Sequence, residues 1–184
     1  MILHRCFAWD RRVGPDAEGG PLWFARAYQG DGRHDNPEVY GCLYLAIHAV
    51  SAVVEQLARF RGSVLVPQIL LRRRIPLALA TLELDDRAVL VDLDDPNVLA
   101  AHALRPSTVA TRTRRVTRPQ ALGLYQQGAD GIRWWSTFES LWANATIFHR
   151  AQKLLRLHSV RALTVDDPAV AEAADFFGLR TARD

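Results

Sequence analysis

The passage from Cys42 to Arg61 constrains this chain most, because a five-residue apolar run gives way almost at once to an amphipathic stretch. Cys42-Leu43-Tyr44-Leu45-Ala46 has the length and character of a buried strand. After Ile47 and His48, apolar residues at Val50, Val53, Val54 and Leu57 follow helical spacing, and Gly62 supplies a stop signal. A strand feeding directly into a helix predicts a mixed, α+β architecture. Ser51, Glu55 and Arg59 recur at four-residue intervals, which predicts a shared stripe beside the apolar one.

The rest of the chain fits that class. Residues 2–8 read as a short strand carrying Arg5, followed by a turn-rich segment from Asp10 to Pro21. Trp23 to Gly41 mixes aromatic groups with Gly30, Asp31, Gly32, Asp35, Asn36 and Pro37, and predicts a long loop of the kind that often carries function. Leu77–Leu84 and Ala88–Leu93 predict strands joined at Asp85-Asp86, as a hairpin or a strand with a bulge. Helices are expected from Asp95-Pro96 to about Leu104, from Pro119 to Gln127 and from Pro168 to Phe177. Further strands are expected at Gly131–Ser136, Asn144–Phe148 and Ser159–Val165. Several strands and about four helices result, with no repeat or linker to divide the chain, so a single domain over residues 1–184 is expected.

Composition excludes more than it nominates. With 184 residues and 49% hydrophobic content the chain is long enough and apolar enough for a real core. A net charge of +3, from 23 basic and 20 acidic residues mixed along the chain, is small for a nucleic-acid binder, and direct nucleic-acid binding is not expected. Lys153 is the sole lysine, so arginine dominates the basic set, through either a G+C-rich genome or anion binding. Cys6 and Cys42 are too few for a disulfide framework and lack metal-ligand spacing with the six histidines, so no structural metal is expected. Charged residues interrupt the N-terminal segment too early for a secretory or membrane-spanning run, and a cytoplasmic protein is expected.

Gly32-Arg33 followed by Asn36-Pro37, then Leu43-Tyr44-Leu45-Ala46, then Glu55, resembles the core signature of RES-domain proteins. Arg33 to Tyr44 and Tyr44 to Glu55 are both separations of 11 residues, closely similar to those of the family. By the same resemblance Arg5 matches the arginine of the N-terminal strand, Ser136 matches the late serine, and Asn144–Phe148 matches the strand after it. The loop departs from the frequent Gly-Arg-Trp-Asn pattern: His34 replaces the tryptophan and Asn36 comes one place later. The resemblance implies an ADP-ribosyltransferase-like fold with a split central β-sheet flanked by helices. It also implies a toxin of a bacterial toxin–antitoxin pair that degrades NAD, with an Xre-type helix-turn-helix antitoxin as partner and a homodimer as a further possibility.

The implied roles are physically coherent. Arg5 and Arg33 offer planar, permanently charged recognition of a pyrophosphate or a guard for the nicotinamide ribose. Tyr44 offers a ring to stack on nicotinamide, and Glu55 a fixed carboxylate for ribose hydroxyls and an oxocarbenium-like transition state. Ser136 would orient phosphate or ribose. The leaving group is already cationic, so no strong general acid is needed, and water or inorganic phosphate attacks. Two alternatives remain: the same pocket transferring ADP-ribose to a protein or nucleic acid, and a nucleic-acid-binding module built on Arg112 to Arg118 with the nearby Trp134, Trp135 and Trp142.

Overall fold

The computed structural model describes residues 1–180. These fall into two compact units, one built from 24–45 and 84–156 together with Met1, the other from 2–23, 46–83 and 157 onward.

Strand β1 (Ile2–Ala8) opens the second of these units and pairs antiparallel with β4 (Ile75–Leu84), from Ile2 opposite Glu83 to Ala8 opposite Leu77. A two-residue hairpin joins β3 (Leu71–Arg72) to β4. Its turn is Arg73-Arg74, and both residues hold positive φ, 50° and 68°. Such turns favour Asn-Gly because side chains are strained there. Helix α1 (Ala49–Leu57) packs on β1 and on α5 (Pro168–Phe177) through Val53, Val54 and Leu57, all fully buried. The side chain of Asp167 accepts from the Ala169 amide at the start of α5, and Gly178, at φ 60°, ends the helix in the left-handed conformation. Ser51 is fully buried in α1, whereas Glu55 and Arg59 are exposed, so the expected common stripe is divided between core and surface.

The other unit stacks its strands in the order β2 (Cys42–Ala46), β7 (Ala143–Phe148), β6 (Gly131–Trp135) and β5 (Leu90–Asp92). Every residue of β7 is buried, as expected for an inner strand covered on both faces. Gly131 lies opposite Ile147 and Trp135 opposite Ala143 in the β6–β7 hairpin. Helices α2 (Pro96–Ala101), α3 (Pro106–Val109) and α4 (Arg114–Gln126) complete the unit. Tyr40, Cys42, Leu99, Leu124, Ile132, Trp134 and Phe148 are among its core residues.

The α+β class is the observed one, and β2 and α5 have the expected bounds. Five expected elements differ, α1 among them: the helix expected to run to Arg61 ends at Leu57 and passes into a 3-10 turn at Ala58–Phe60. Strand β5 does not form a hairpin with β4; it runs parallel to β6, because Asp130 captures the start of the strand by accepting the Val89 amide on its carboxylate and donating its own amide to the Val89 carbonyl. Helix α4 begins at Arg114 instead of Pro119. The proline removes one backbone donor, yet Arg115 and Pro119 are both exposed, so water reaches the carbonyl left over. Strand β8 (Leu155–Ala162) starts four residues before Ser159, and α2 stops at Ala101, before Ala103 adopts φ 52°.

Candidate active site

Between Trp23 and Gly41 the only regular piece is one 3-10 turn at Arg26–Tyr28, and the loop is organised instead by a single carboxylate. Asp35 is buried, and its Oδ2 accepts the amides of Gly30 at 2.8 Å and Gly32 at 2.7 Å. Its Oδ1 accepts the Tyr44 hydroxyl at 2.7 Å and the Cys42 thiol at 3.5 Å. Burial alone would raise the Asp35 pKa, but the hydrogen bonds from Tyr44, Gly30 and Gly32 hold it below the usual carboxylate value. Burial and the Asp35 charge push the Cys42 thiol upward, so it stays protonated and unreactive. A Cβ at position 32 would run into Asp35 Oδ1 and the Tyr44 hydroxyl, so close approach, with no need of positive φ, demands glycine there.

Tyr44 leaves β2 with its hydroxyl fully engaged, donating to Asp35 and accepting the His34 amide at 2.8 Å. Its half-buried ring lies 6.3 Å from the His34 ring with 24° between the planes. His34 is 4% exposed, its Nδ1 is 2.8 Å from Thr146 Oγ1 on β7, and its ring meets Trp134 edge-on at 5.5 Å. Trp134 Nε1 donates to the same Thr146 oxygen at 3.1 Å. Burial, reinforced by the Arg33 charge, lowers the His34 pKa to about 3, so the imidazole is neutral at physiological pH. The His34 carbonyl accepts from Tyr40 Oη and from Asn36 Nδ2.

Arg33 is 7% exposed and stacks over the Trp134 ring at 4.6 Å. Its Nη1 donates to the carbonyls of Val109 at 2.7 Å and Thr111 at 2.8 Å, while the Thr117 hydroxyl donates to the Arg33 carbonyl. Ser136 follows β6, 2% exposed, and accepts the Phe138 amide on its Oγ while its own amide closes the β6–β7 connection on Trp142 O. Arg33, Tyr44 and Ser136 therefore lie in one unit, which brings the first two together around the same loop.

Arg5 and Glu55 belong to the other unit. Arg5 is half-buried on β1, its Nη1 donating to the carbonyls of Gly20 at 3.2 Å and Pro21 at 2.6 Å, with its guanidinium over Phe7 at 4.8 Å. Burial lowers its pKa to about 10, which leaves it charged at neutral pH. Glu55 stands on the exposed face of α1.

Sequence reasoning passed over Asp35, Thr146 and Trp134 as parts of this loop's support. The alternation Gly30-Asp31-Gly32 with an acid three places on was a usable signal for Asp35, because glycine amides in close succession suit a carboxylate. Thr146 carried none. Among the described residues no three or more His, Cys, Asp or Glu side chains are grouped to hold a metal ion, and no helix is long and apolar enough to cross a membrane.

A mixed sheet-and-helix chain with a buried, carboxylate-centred loop beside a strand tyrosine is the class that fold and site define. The RES domain family model matches residues 3–171, and the chain belongs to that family. Among solved structures it is similar to a chain of the M. tuberculosis MbcT–MbcA toxin–antitoxin complex, with a TM-score of 0.65 and 18% identity over 96% of this chain and 88% of the other. Comparison with curated proteins gave no significant match.

Proposed function

We propose that this chain is the toxin of a toxin–antitoxin pair and destroys NAD by breaking the nicotinamide–ribose bond. The observation that carries this is the family match over residues 3–171, which spans Arg5, Arg33, Tyr44, Glu55 and Ser136. The similar fold in a toxin–antitoxin complex supports an antitoxin as partner, and we assign it the Xre helix-turn-helix type. The working compartment is then the cytoplasm, where NAD and such a partner are found. A homodimer is compatible with the proposal and no step depends on it.

In this scheme the C1′–N bond breaks with its electron pair passing to the nicotinamide nitrogen, which leaves as a neutral ring. Positive charge grows on the ribose, and Glu55 stabilises it while holding ribose hydroxyls. Water attacks C1′ and loses a proton to give ADP-ribose; inorganic phosphate attacking instead gives the 1-phosphate. The Tyr44 ring, aimed by the bond from its hydroxyl to Asp35, stacks on nicotinamide. Arg5 and Arg33 supply fixed positive charge, and Ser136 orients ribose or phosphate. NAD is the substrate and no cofactor takes part.

Purified antitoxin-free protein is incubated with NAD, with and without phosphate, and nicotinamide release is followed. Release is expected and should vanish in Glu55→Ala, whose exposed position predicts a stability change within about 0.5 kcal/mol. Absence of release in both conditions refutes the function, and undiminished turnover by the variant removes Glu55 from it. Labelled ADP-ribose appearing on a macromolecule would replace hydrolysis or phosphorolysis with transfer.

A further inference from the structure

Arg33 reaches the loop but spends Nη1 on two backbone carbonyls and lies flat on Trp134, which makes it an inner support of the site. Just outside it stand two other arginines. Arg114, exposed at the start of α4, donates from Nε to the Asp31 carbonyl at 3.0 Å and from Nη1 to the Arg112 carbonyl at 2.6 Å. Arg112, also exposed, donates from Nη2 to Thr137 Oγ1 at 3.3 Å and lies over the Phe138 ring at 5.4 Å. One is thus tied to the Gly30–Gly32 turn and the other to the segment immediately after Ser136. Each guanidinium has five N–H donors, and these bonds use two on Arg114 and one on Arg112.

Charge makes the arrangement more specific. Among the described residues neither arginine has a carboxylate within ion-pair distance, although Arg12, Arg87, Arg133 and Arg161 elsewhere in the chain all do. Orientation of both cations by backbone and hydroxyl partners reduces the rotamer entropy a ligand must overcome. A ligand with two adjacent negative charges supplies the counter-charge that neither arginine has and takes up the remaining donors. Deepening the proposed NAD-cleaving function, on which this rests, we infer that Arg112 and Arg114 form a clamp for the diphosphate of the substrate, with Arg33 behind them as support.

Direct binding of inorganic pyrophosphate and of ADP is measured by calorimetry on the whole chain, alongside NAD turnover. Arg112→Gln and Arg114→Gln should each weaken pyrophosphate binding and raise the KM for NAD about tenfold, and the double variant roughly hundredfold, with kcat within about twofold. Turnover of nicotinamide riboside, which lacks phosphate, should be unchanged in these variants. Arg115→Gln, exposed on the same helix, is the control for diffuse charge and should have no effect. The Arg112 side chain bonds Thr137 and lies over Phe138, away from the Asp31 carbonyl that Arg114 holds, so Arg112→Gln tests the clamp even where Arg114→Gln disturbs the loop. Unaltered pyrophosphate affinity in the double variant, or an equal loss in Arg115→Gln, overturns the clamp. So does a single-stranded oligonucleotide that binds this stretch and is not displaced by pyrophosphate. Pyrophosphate binding lost in both glutamine variants, in a protein that never cleaves NAD, would uphold the clamp and sink the function; NAD cleavage with unmoved KM would do the reverse.

Discussion

His34 should impose a measurable acid sensitivity on the fold. Its pKa in the folded chain is about 3 against 6.5 in a model peptide, so between these values the unfolded chain binds a proton that the folded chain refuses. With a folded value below the unfolded one, stability is full above about pH 6.5 and declines as pH falls. The limiting slope is about 1.4 kcal/mol per pH unit, and the loss from pH 7 to pH 5 comes to about 2 kcal/mol. Any folded value below about 4 gives the same figure, because the histidine is then still neutral at pH 5. Asp35, held below 3.8, is ionised in both states over this range. Urea unfolding of wild type and His34→Gln at pH 7, 6 and 5 isolates the contribution, since His4 and His149, whose pKa values are also lowered, cancel in the difference. The variant should be the less stable at pH 7, having lost the packed imidazole, and the gap should narrow by about 2 kcal/mol at pH 5. Parallel profiles for the two proteins would refute a buried neutral His34.

Gly32→Ala should cost about 2 kcal/mol, read as a lower urea midpoint, because the added methyl must displace Asp35 or Tyr44; an unchanged midpoint would contradict the close approach. Replacing the strained turn with Arg73→Asn and Arg74→Gly should stabilise the chain by about 1 kcal/mol and raise Tm by roughly 2 to 4 °C. A fall in Tm would mean that the two arginines contribute more than their backbone strain costs.

Elements governed by local pattern were legible in the sequence. Strand β2 is a contiguous apolar run, and α5 carries its own start and stop in Asp167, Pro168 and Gly178. The partner of β5 was not legible, since its pairing depends on Asp130, some forty residues downstream, and no spacing rule reports such a contact. Pro119 misplaced the start of α4 because propensity penalises an interior proline without knowing that its face is exposed. Within the site, Arg33 and Tyr44 stood out by type and spacing, while Asp35 resembled an ordinary turn acid until its four donors were seen together. The substitution of His34 for tryptophan showed in the sequence as a departure. Its physical sense, a neutral ring held by Thr146, needed a contact across 112 residues.

That contact also sets when the loop can exist. Arg33 waits for Val109 and Thr111, its carbonyl for Thr117, and His34 for Thr146, so the loop is held by partners 76 to 112 residues further along the chain. At ribosomal rates of about 5–20 residues per second, Thr146 is made roughly 6 to 22 s after His34. Through that interval a nascent chain carries the loop's sequence without its shape. Under the proposed function, activity would wait until Thr146 has been made, which leaves a window in which an antitoxin already present meets a chain whose loop is not yet built.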